Sequence, residues 1–199
     1  MIAIVDYGMG NLFSIYNALV RVSGEPMIVT EPDFSEADGI VVPGVGSFGR
    51  CMEQLARFGE ALRQELDEGK PVLGICIGMQ VLFDESAESP GAQGLAWMPG
   101  KVVRLPSGMM VPQMGWNDLR ITREIPLLDG ISSGDRFYFV HSYHCRPDDR
   151  SVLAATVEYG TEVVAVVEND NLAATQFHPE KSGPRGLRIL ENFVRCVRC

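Results

Sequence analysis

Three short segments of this chain carry residue types at spacings that could do chemistry. In the first, an apolar run over residues 71–75 leads into Gly74-Ile-Cys76-Ile-Gly78. The pattern G-x-C-x-G has the spacing of a nucleophile elbow, normally written with Ser, whose glycines permit a sharp strand-to-helix turn. The central side chain is then exposed at the strand tip. A helix starting just beyond would add N–H groups and positive potential, favouring thiolate over a thiol whose pKa starts near ~8.5. A small buried Cys between two packing glycines fits the same residues, and the segment alone leaves both readings open.

A thiol nucleophile needs a base, and the chain has three histidines, His141, His144 and His178. His178 lies in Gln176-Phe-His-Pro-Glu180, after an apolar run. In extended chain His178 and Glu180 point the same way, and Pro179 restricts His178 to extended conformations. Cys76, His178 and Glu180 then form a Cys–His–carboxylate set: the imidazole takes the thiol proton and later protonates the leaving group. Taken alone, His178 also fits an exposed loop histidine. Taken with the elbow, the two segments have few structural explanations in common.

The third segment is Val42-Pro-Gly-Val-Gly-Ser-Phe48. A glycine-rich strand exit beside a nucleophile can aim backbone N–H groups at a developing oxyanion. It could also cradle a phosphate, although it lacks the G-x-x-x-x-G-K-[ST] spacing and its lysine. A metal site is not expected, because Cys196-Val-Arg-Cys199 has no second pair of ligands. Cys51 and Cys145 give no signal.

The elements that must position these residues alternate in the first half. Strands are expected over 2–5, 26–30, 39–42 and 71–75, and helices from Leu12, over 51–68 and over 78–84. That alternation predicts an α/β fold with a mixed, mainly parallel central sheet flanked by helices, with sites at the carboxyl ends of strands. The second half predicts an antiparallel portion, with strands over 101–105, 136–140, 152–158, 163–168 and 172–177. Turns at Tyr159-Gly160 and Asn169-Asp-Asn171 join the last three. A final helix is expected from about Pro184. It would bury Leu187, Leu190, Phe193, Val194 and Val197 and leave Arg185, Arg188, Arg195 and Arg198 as a solvated face.

With 199 residues, 46% hydrophobic, the chain is expected to form a single domain over 1–199. The net charge of −9 disfavours nucleic-acid binding, which needs a basic footprint. No uncharged stretch approaches the ~20 residues of a spanning helix. The start lacks a signal-peptide pattern, and five irregularly spaced cysteines argue against a disulfide framework. A cytoplasmic location is expected.

Together the three catalytic segments resemble those of the class I, triad-type glutamine amidotransferases. Asp6-Tyr-Gly-Met-Gly-Asn-Leu12, Pro43-Gly-Val-Gly46, Met114-Gly-Trp-Asn117 and Phe137-Tyr-Phe-Val-His-Ser-Tyr143 extend the likeness nearly end to end. Within that class they resemble the glutaminase subunits of imidazole glycerol phosphate synthases. The resemblance implies that Cys76 attacks the side-chain amide of glutamine, with His178 as base and acid and Glu180 orienting it. It implies that Gly44, Val45, Gly46 and Ile77 surround the oxyanion, and that Gln80, Glu88, His141, Ser142 and Tyr143 hold the substrate. It also implies no cofactor, a heterodimer with a (β/α)₈-barrel cyclase subunit that receives the ammonia, and Lys181 facing that partner. In the family the glutaminase is weak until the partner binds its ligand, an effect attributed to reorientation of the glycine turn. A chain of this length has no room for an additional barrel of ~250 residues. The alternatives are a glutaminase serving another ammonia-using synthase, and a non-catalytic scaffold of the same fold.

Overall fold

The computed structural model describes residues 1–198. Strand β1 (Ile2–Val5) leads to α1 (Leu12–Arg21), β2 (Pro26–Val29) and β3 (Gly39–Val42). Helices α2 (Phe48–Leu55) and α3 (Gly59–Asp67) precede β4 (Val72–Ile75) and a single-turn helix, α4 (Ile77–Gln80). The chain continues through β5 (Glu85–Ser86), β6 (Gly100–Arg104), β7 (Gln113–Asp118), β8 (Arg120–Ile121), β9 (Arg136–His141) and β10 (Tyr143–Pro147). Strands β11 (Leu153–Glu158), β12 (Glu162–Asn169) and β13 (Leu172–Thr175) then lead to α5 (Gly183–Val197).

The main sheet has eight strands in the order β2-β1-β3-β4-β13-β12-β11-β8. It is parallel from β2 to β13 and antiparallel from β13 to β8. Strands β1, β3, β4 and β13 are buried at every position, as their unbroken runs of small and apolar residues require in a sheet covered on both faces. The antiparallel part follows from two tight hairpins, at the predicted Tyr159-Gly160 and Asn169–Asn171 turns. Two smaller sheets, β10-β6-β5 and β7-β9, complete the described residues. One consequence matters most: β3, β4 and β13 are adjacent and parallel, so their carboxyl ends share one edge.

Several expected elements differ. The single helix over 51–68 is two helices joined by a 3₁₀ turn at Ala56–Phe58, which tightens the chain just before Gly59, a poor helix former. The helix over 78–84 stops at Gln80. Its next carbonyls are taken by the 94–98 segment instead: Leu95 N–H donates to Val81 at 2.8 Å and Trp97 N–H to Leu82 at 2.9 Å. Strands β7 and β10 were not expected, because Met114-Gly-Trp-Asn and Tyr143-His-Cys-Arg-Pro lack the apolar run or β-forming composition that marks a strand.

Helix α5 packs against α1 and buries Leu190, Phe193 and Val194 as expected, but also Ile189 and Asn192, while Leu187 and Val197 are only half-buried. Its arginines are ion-paired rather than merely solvated, Arg185 with Asp135 at 2.9 Å and Arg195 with Asp129 at 2.6 Å. The Arg195–Asp129 pair is exposed, so water screens it and it adds little to stability. Cys199 lies outside the described residues, so the C-x-x-C pair is not described.

Asn192 is the polar tie in this packing. Its buried amide donates to the carbonyls of Leu127 (2.9 Å) and Asp129 (2.8 Å), fixing α5 to the segment between β8 and β9. Replacing it with Ala leaves those carbonyls without their donor. Asn192→Ala is expected to lower stability by about 1–3 kcal/mol, read as a lower urea midpoint with an unchanged slope.

Candidate active site

Cys76 occupies the step between β4 and α4 with φ +58° and ψ −108°, a conformation that L-residues rarely adopt. Its N–H donates to Thr175 C=O at 2.8 Å, tying the elbow to β13, and its carbonyl accepts from Met79 and Gln80. Both flanking glycines are required by contact. A Cβ on Gly74 would lie 2.6 Å from the Gly78 oxygen, and one on Gly78 would lie 1.9 Å from the Val42 oxygen. The G-x-C-x-G spacing is thus the spacing at which β4, α4 and β3 can touch. Because α4 is a single turn, the helix field expected from the sequence reduces to the local N–H groups of that turn.

His178 follows β13, its own backbone extended, and Glu180 sits in the 3₁₀ turn Pro179–Lys181. The extended conformation expected from His178 through Glu180 therefore stops at His178. The two side chains still meet, Nδ1 of His178 lying 2.8 Å from Oε1 of Glu180, with both almost fully buried. An exposed loop histidine is excluded. Among the described residues Nε2 of His178 makes no hydrogen bond, while the ring lies near enough to the Cys76 sulfur for the two to interact electrostatically. Burial pulls this imidazole down, but the neighbouring Cys76 sulfur and the hydrogen-bonded Glu180 carboxylate outweigh it, holding His178 at about 9.

The exit of β3 approaches from the other side. A Cβ on Gly44 would lie 2.8 Å from Ile77 Cβ and 3.0 Å from Gly78 N, so the turn and the elbow are in direct contact. Gly46 has φ +108°, which suits glycine. Among the described residues the N–H groups of Gly44, Val45 and Gly46 make no hydrogen bond, leaving donors beside the elbow.

A cavity of about 360 Å³ opens at Cys76, within the usual range for small-ligand sites. Val45, Gly46, Ile77 and His178 line it with Cys76, while Gly44 and Glu180 lie behind it. The remaining expected residues, Gln80, Glu88, His141, Ser142, Tyr143 and Lys181, also line it. Gln80 is fully buried; its Nε2 donates to Tyr143 C=O at 2.9 Å and Gln176 Oε1 at 3.0 Å, so Oε1 is left without a partner. Glu88 accepts from Phe48 N–H at 2.7 Å. Burial and neighbouring positive charge outweigh one hydrogen bond at His141 and lower it to about 4, so it is neutral. Its Nδ1–H donates to Tyr143 C=O at 2.8 Å, which leaves Nε2 as an acceptor. Among the described residues no group of three His, Cys, Asp or Glu is arranged to hold a metal ion.

The profile of the class-I glutamine amidotransferase family matches residues 3–197. The imidazole glycerol phosphate synthase subunit HisH of Methanothermobacter thermautotrophicus is 50% identical over 199 residues, all of both chains. The HisH subunit of Syntrophotalea carbinolica is 48% identical, covering 97% of this chain and 98% of its own. The chain belongs to the class-I glutamine amidotransferases, in their HisH group. Among solved structures, a glutamine amidotransferase superposes with TM-score 0.78 at 19% identity, covering 100% of this chain and 99% of its own. PurLQS from Thermotoga maritima superposes at 0.79 and 21%, covering 98% and 97%. At those identities the likeness is one of fold, and it places the mixed central sheet among class-I amidotransferases.

Sequence reasoning missed several residues of this amidotransferase site. Gln176 is buried with Nε2 donating to Cys76 Sγ at 3.8 Å and Oε1 accepting from Gln80. Its position two residues before His178 was the available signal. Pro112 lines the cavity from a loop whose sequence gave no site pattern, and Val140 lines it from within the Phe137–Tyr143 segment without having been singled out. Cys51 and Cys145, without a sequence signal, are both buried near Cys76.

The electrostatics give a signed expectation. In the unfolded chain His178 returns to about 6.5. Its pairing therefore stabilises the fold fully below about pH 6.5, and that contribution is lost as pH rises through about 9. By NMR, His178 is expected to titrate near pH 9, and Glu180→Gln should bring that midpoint down by at least one unit. His141 should show no titration above about pH 5. A His178 midpoint unmoved by Glu180→Gln would contradict this account.

Proposed function

We propose that the chain hydrolyses glutamine to glutamate and ammonia with Cys76 as nucleophile, His178 as base and acid, and Glu180 as its orienting partner. The observation that carries this reading is the left-handed Cys76 lining one cavity with a buried His178 whose Nδ1 is held by Glu180 at 2.8 Å. The Cys76 thiolate attacks Cδ of the side-chain amide, and the amide C=O becomes an oxyanion beside the free N–H groups of the Gly44–Gly46 turn and Ile77. The His178 imidazolium gives its proton to the amide nitrogen, the C–N bond breaks, and ammonia leaves a γ-glutamyl thioester. Water, deprotonated by the now neutral His178, attacks the thioester; the C–S bond breaks and glutamate is released.

The lining of the cavity supports the expected substrate positions. The Glu88 carboxylate suits the α-ammonium of glutamine, while Gln80 and the His141–Ser142–Tyr143 stretch surround its polar head. Neutral His141, Nδ1–H turned to Tyr143, offers an acceptor rather than a second cation.

The relatives' name, a subunit of imidazole glycerol phosphate synthase, supports a partner: a (β/α)₈-barrel cyclase that forms a heterodimer with this chain and consumes the ammonia in histidine biosynthesis. The cyclase would turn a ribulosyl aminoimidazole-carboxamide ribotide into imidazole glycerol phosphate and the carboxamide ribotide. The surface beside the cavity supports the same reading. Met110, Met114 and Trp116 are exposed on the segment that contains the cavity-lining Pro112, and Lys181 is exposed at the cavity itself. We read residues 1–199 as one amidotransferase domain in the cytoplasm. No helix of the described residues is long and apolar enough to cross a membrane.

Cys76→Ala is expected to reduce glutamine-dependent cyclase turnover by about 10³-fold or more while leaving ammonium-dependent turnover intact. Diazo-oxonorleucine should label wild-type Cys76, and the chain should retain a barrel cyclase, not another acceptor enzyme, in pull-down. Loss of both turnovers in Cys76→Ala would overturn the division of labour. Absence of labelling with the cyclase present would favour a non-catalytic scaffold.

A further inference from the structure

We propose that Tyr7 and Cys51 clamp the Gly44–Gly46 turn from behind and set the direction of its N–H groups, making both positioning residues for the oxyanion. The inference rests on the proposed reading of that turn as the oxyanion site and adds what holds it in place.

Tyr7 follows β1 and Cys51 lies on α2; both are buried. The phenol O–H of Tyr7 donates to the carbonyl of Pro43, and the Cys51 thiol reaches the carbonyl of Val45 at 3.7 Å. The two side chains also lie near enough to each other to interact electrostatically. Two alternate carbonyls of the turn are therefore gripped from the protein interior. In a trans peptide the N–H points opposite its C=O, and the peptides of this turn are trans. Gripping the Pro43 carbonyl fixes the N–H of Gly44, and gripping the Val45 carbonyl fixes the N–H of Gly46.

Protonation favours the same arrangement. Burial pushes the Tyr7 phenol well above its ordinary value and the Cys51 thiol up to about 11, so both remain donors at neutral pH. Gly44 makes the approach possible, since a Cβ there would lie 2.7 Å from the Tyr7 oxygen. Tyr7 thus directs its one O–H donor to the turn beside Cys76, not to solvent or a distant carbonyl.

Tyr7→Phe removes only the oxygen and keeps the ring packing; Cys51→Ala removes the thiol. Each variant of the full chain is assayed for glutamine hydrolysis, alone and with the cyclase subunit, and its urea midpoint is measured. The glutamine aldehyde analogue supplies a second readout, because its thiohemiacetal with Cys76 places an oxygen at the oxyanion position. The Tyr7→Phe/Cys51→Ala variant is expected to lose about tenfold in kcat with KM changed less than twofold. Its affinity for the aldehyde should fall by a similar factor. If the double variant does not fold, Tyr7→Phe alone should lose at least threefold in kcat with the same KM and aldehyde pattern. A folded variant with kcat within twofold of wild type, or with kcat and aldehyde affinity uncoupled, overturns the clamp. A wild-type chain that neither hydrolyses glutamine with the cyclase nor is labelled at Cys76 overturns the site reading itself, and the clamp with it.

Discussion

The backbone at Cys76 is held at φ +58° for a residue with a Cβ, a conformation that costs on the order of 1–3 kcal/mol and persists only where its surroundings over-determine it. Those surroundings are specific. Cys76 N–H is taken by Thr175, its carbonyl by α4, and Gly74 and Gly78 bring three backbones within contact distance. Relaxing the strain would require separating β4 from both β3 and β13, the central pairings of an eight-stranded sheet. The sheet thus holds the thiol at a strand tip rather than within the strand, where it would pack as an ordinary small residue.

The same three-strand neighbourhood determines the charges. His178 reaches Cys76 because β13 lies beside β4, and Glu180 reaches His178 because the 3₁₀ turn folds the carboxylate back onto the ring. Burial alone would leave this imidazole neutral, as it does His141 a short distance away. The two histidines share a low-dielectric setting and differ in their partners: one has a carboxylate and a sulfur, the other a backbone carbonyl. A site that needs one proton carrier and one neutral acceptor can obtain both from the same residue type in this way.

Much of this was legible because the relevant constraints are local. A strand running into G-x-C-x-G carries its steric requirement in five residues, and the β1, β3 and β4 runs are apolar throughout because both sheet faces are covered. What was not legible depends on distant partners. Nothing within residues 78–84 shows that residues 94–98 will capture its carbonyls and end the helix after one turn. Gln113 to Asp118 pairs with Arg136 to His141 despite poor strand composition, because its neighbour supplies the ladder. Cys51 carries no pattern, and Tyr7 only its place in the Asp6–Leu12 segment; their significance comes from the two carbonyls they meet, Tyr7 on Pro43, 36 residues away, and Cys51 on Val45, 6 residues away.

That turn shows how a flexible glycine segment can serve as a fixed element. Gly44-Val45-Gly46 has the conformational freedom to place its amides in several directions. In the fold it is restrained behind by Tyr7 and Cys51, and beyond its exit by Glu88 on Phe48 N–H and Ser89 on Gly49 N–H at 3.0 Å. Gly44 is needed for close approach to Tyr7 and Ile77, so the feature that brings the turn to the elbow also removes intrinsic stiffness. Stiffness must then come from side chains outside it. Glu88 both lines the cavity and holds the start of α2, so one carboxylate meets the cavity and the backbone following the turn. Occupancy of the cavity and geometry of the turn are therefore not mechanically independent, because one carboxylate belongs to both.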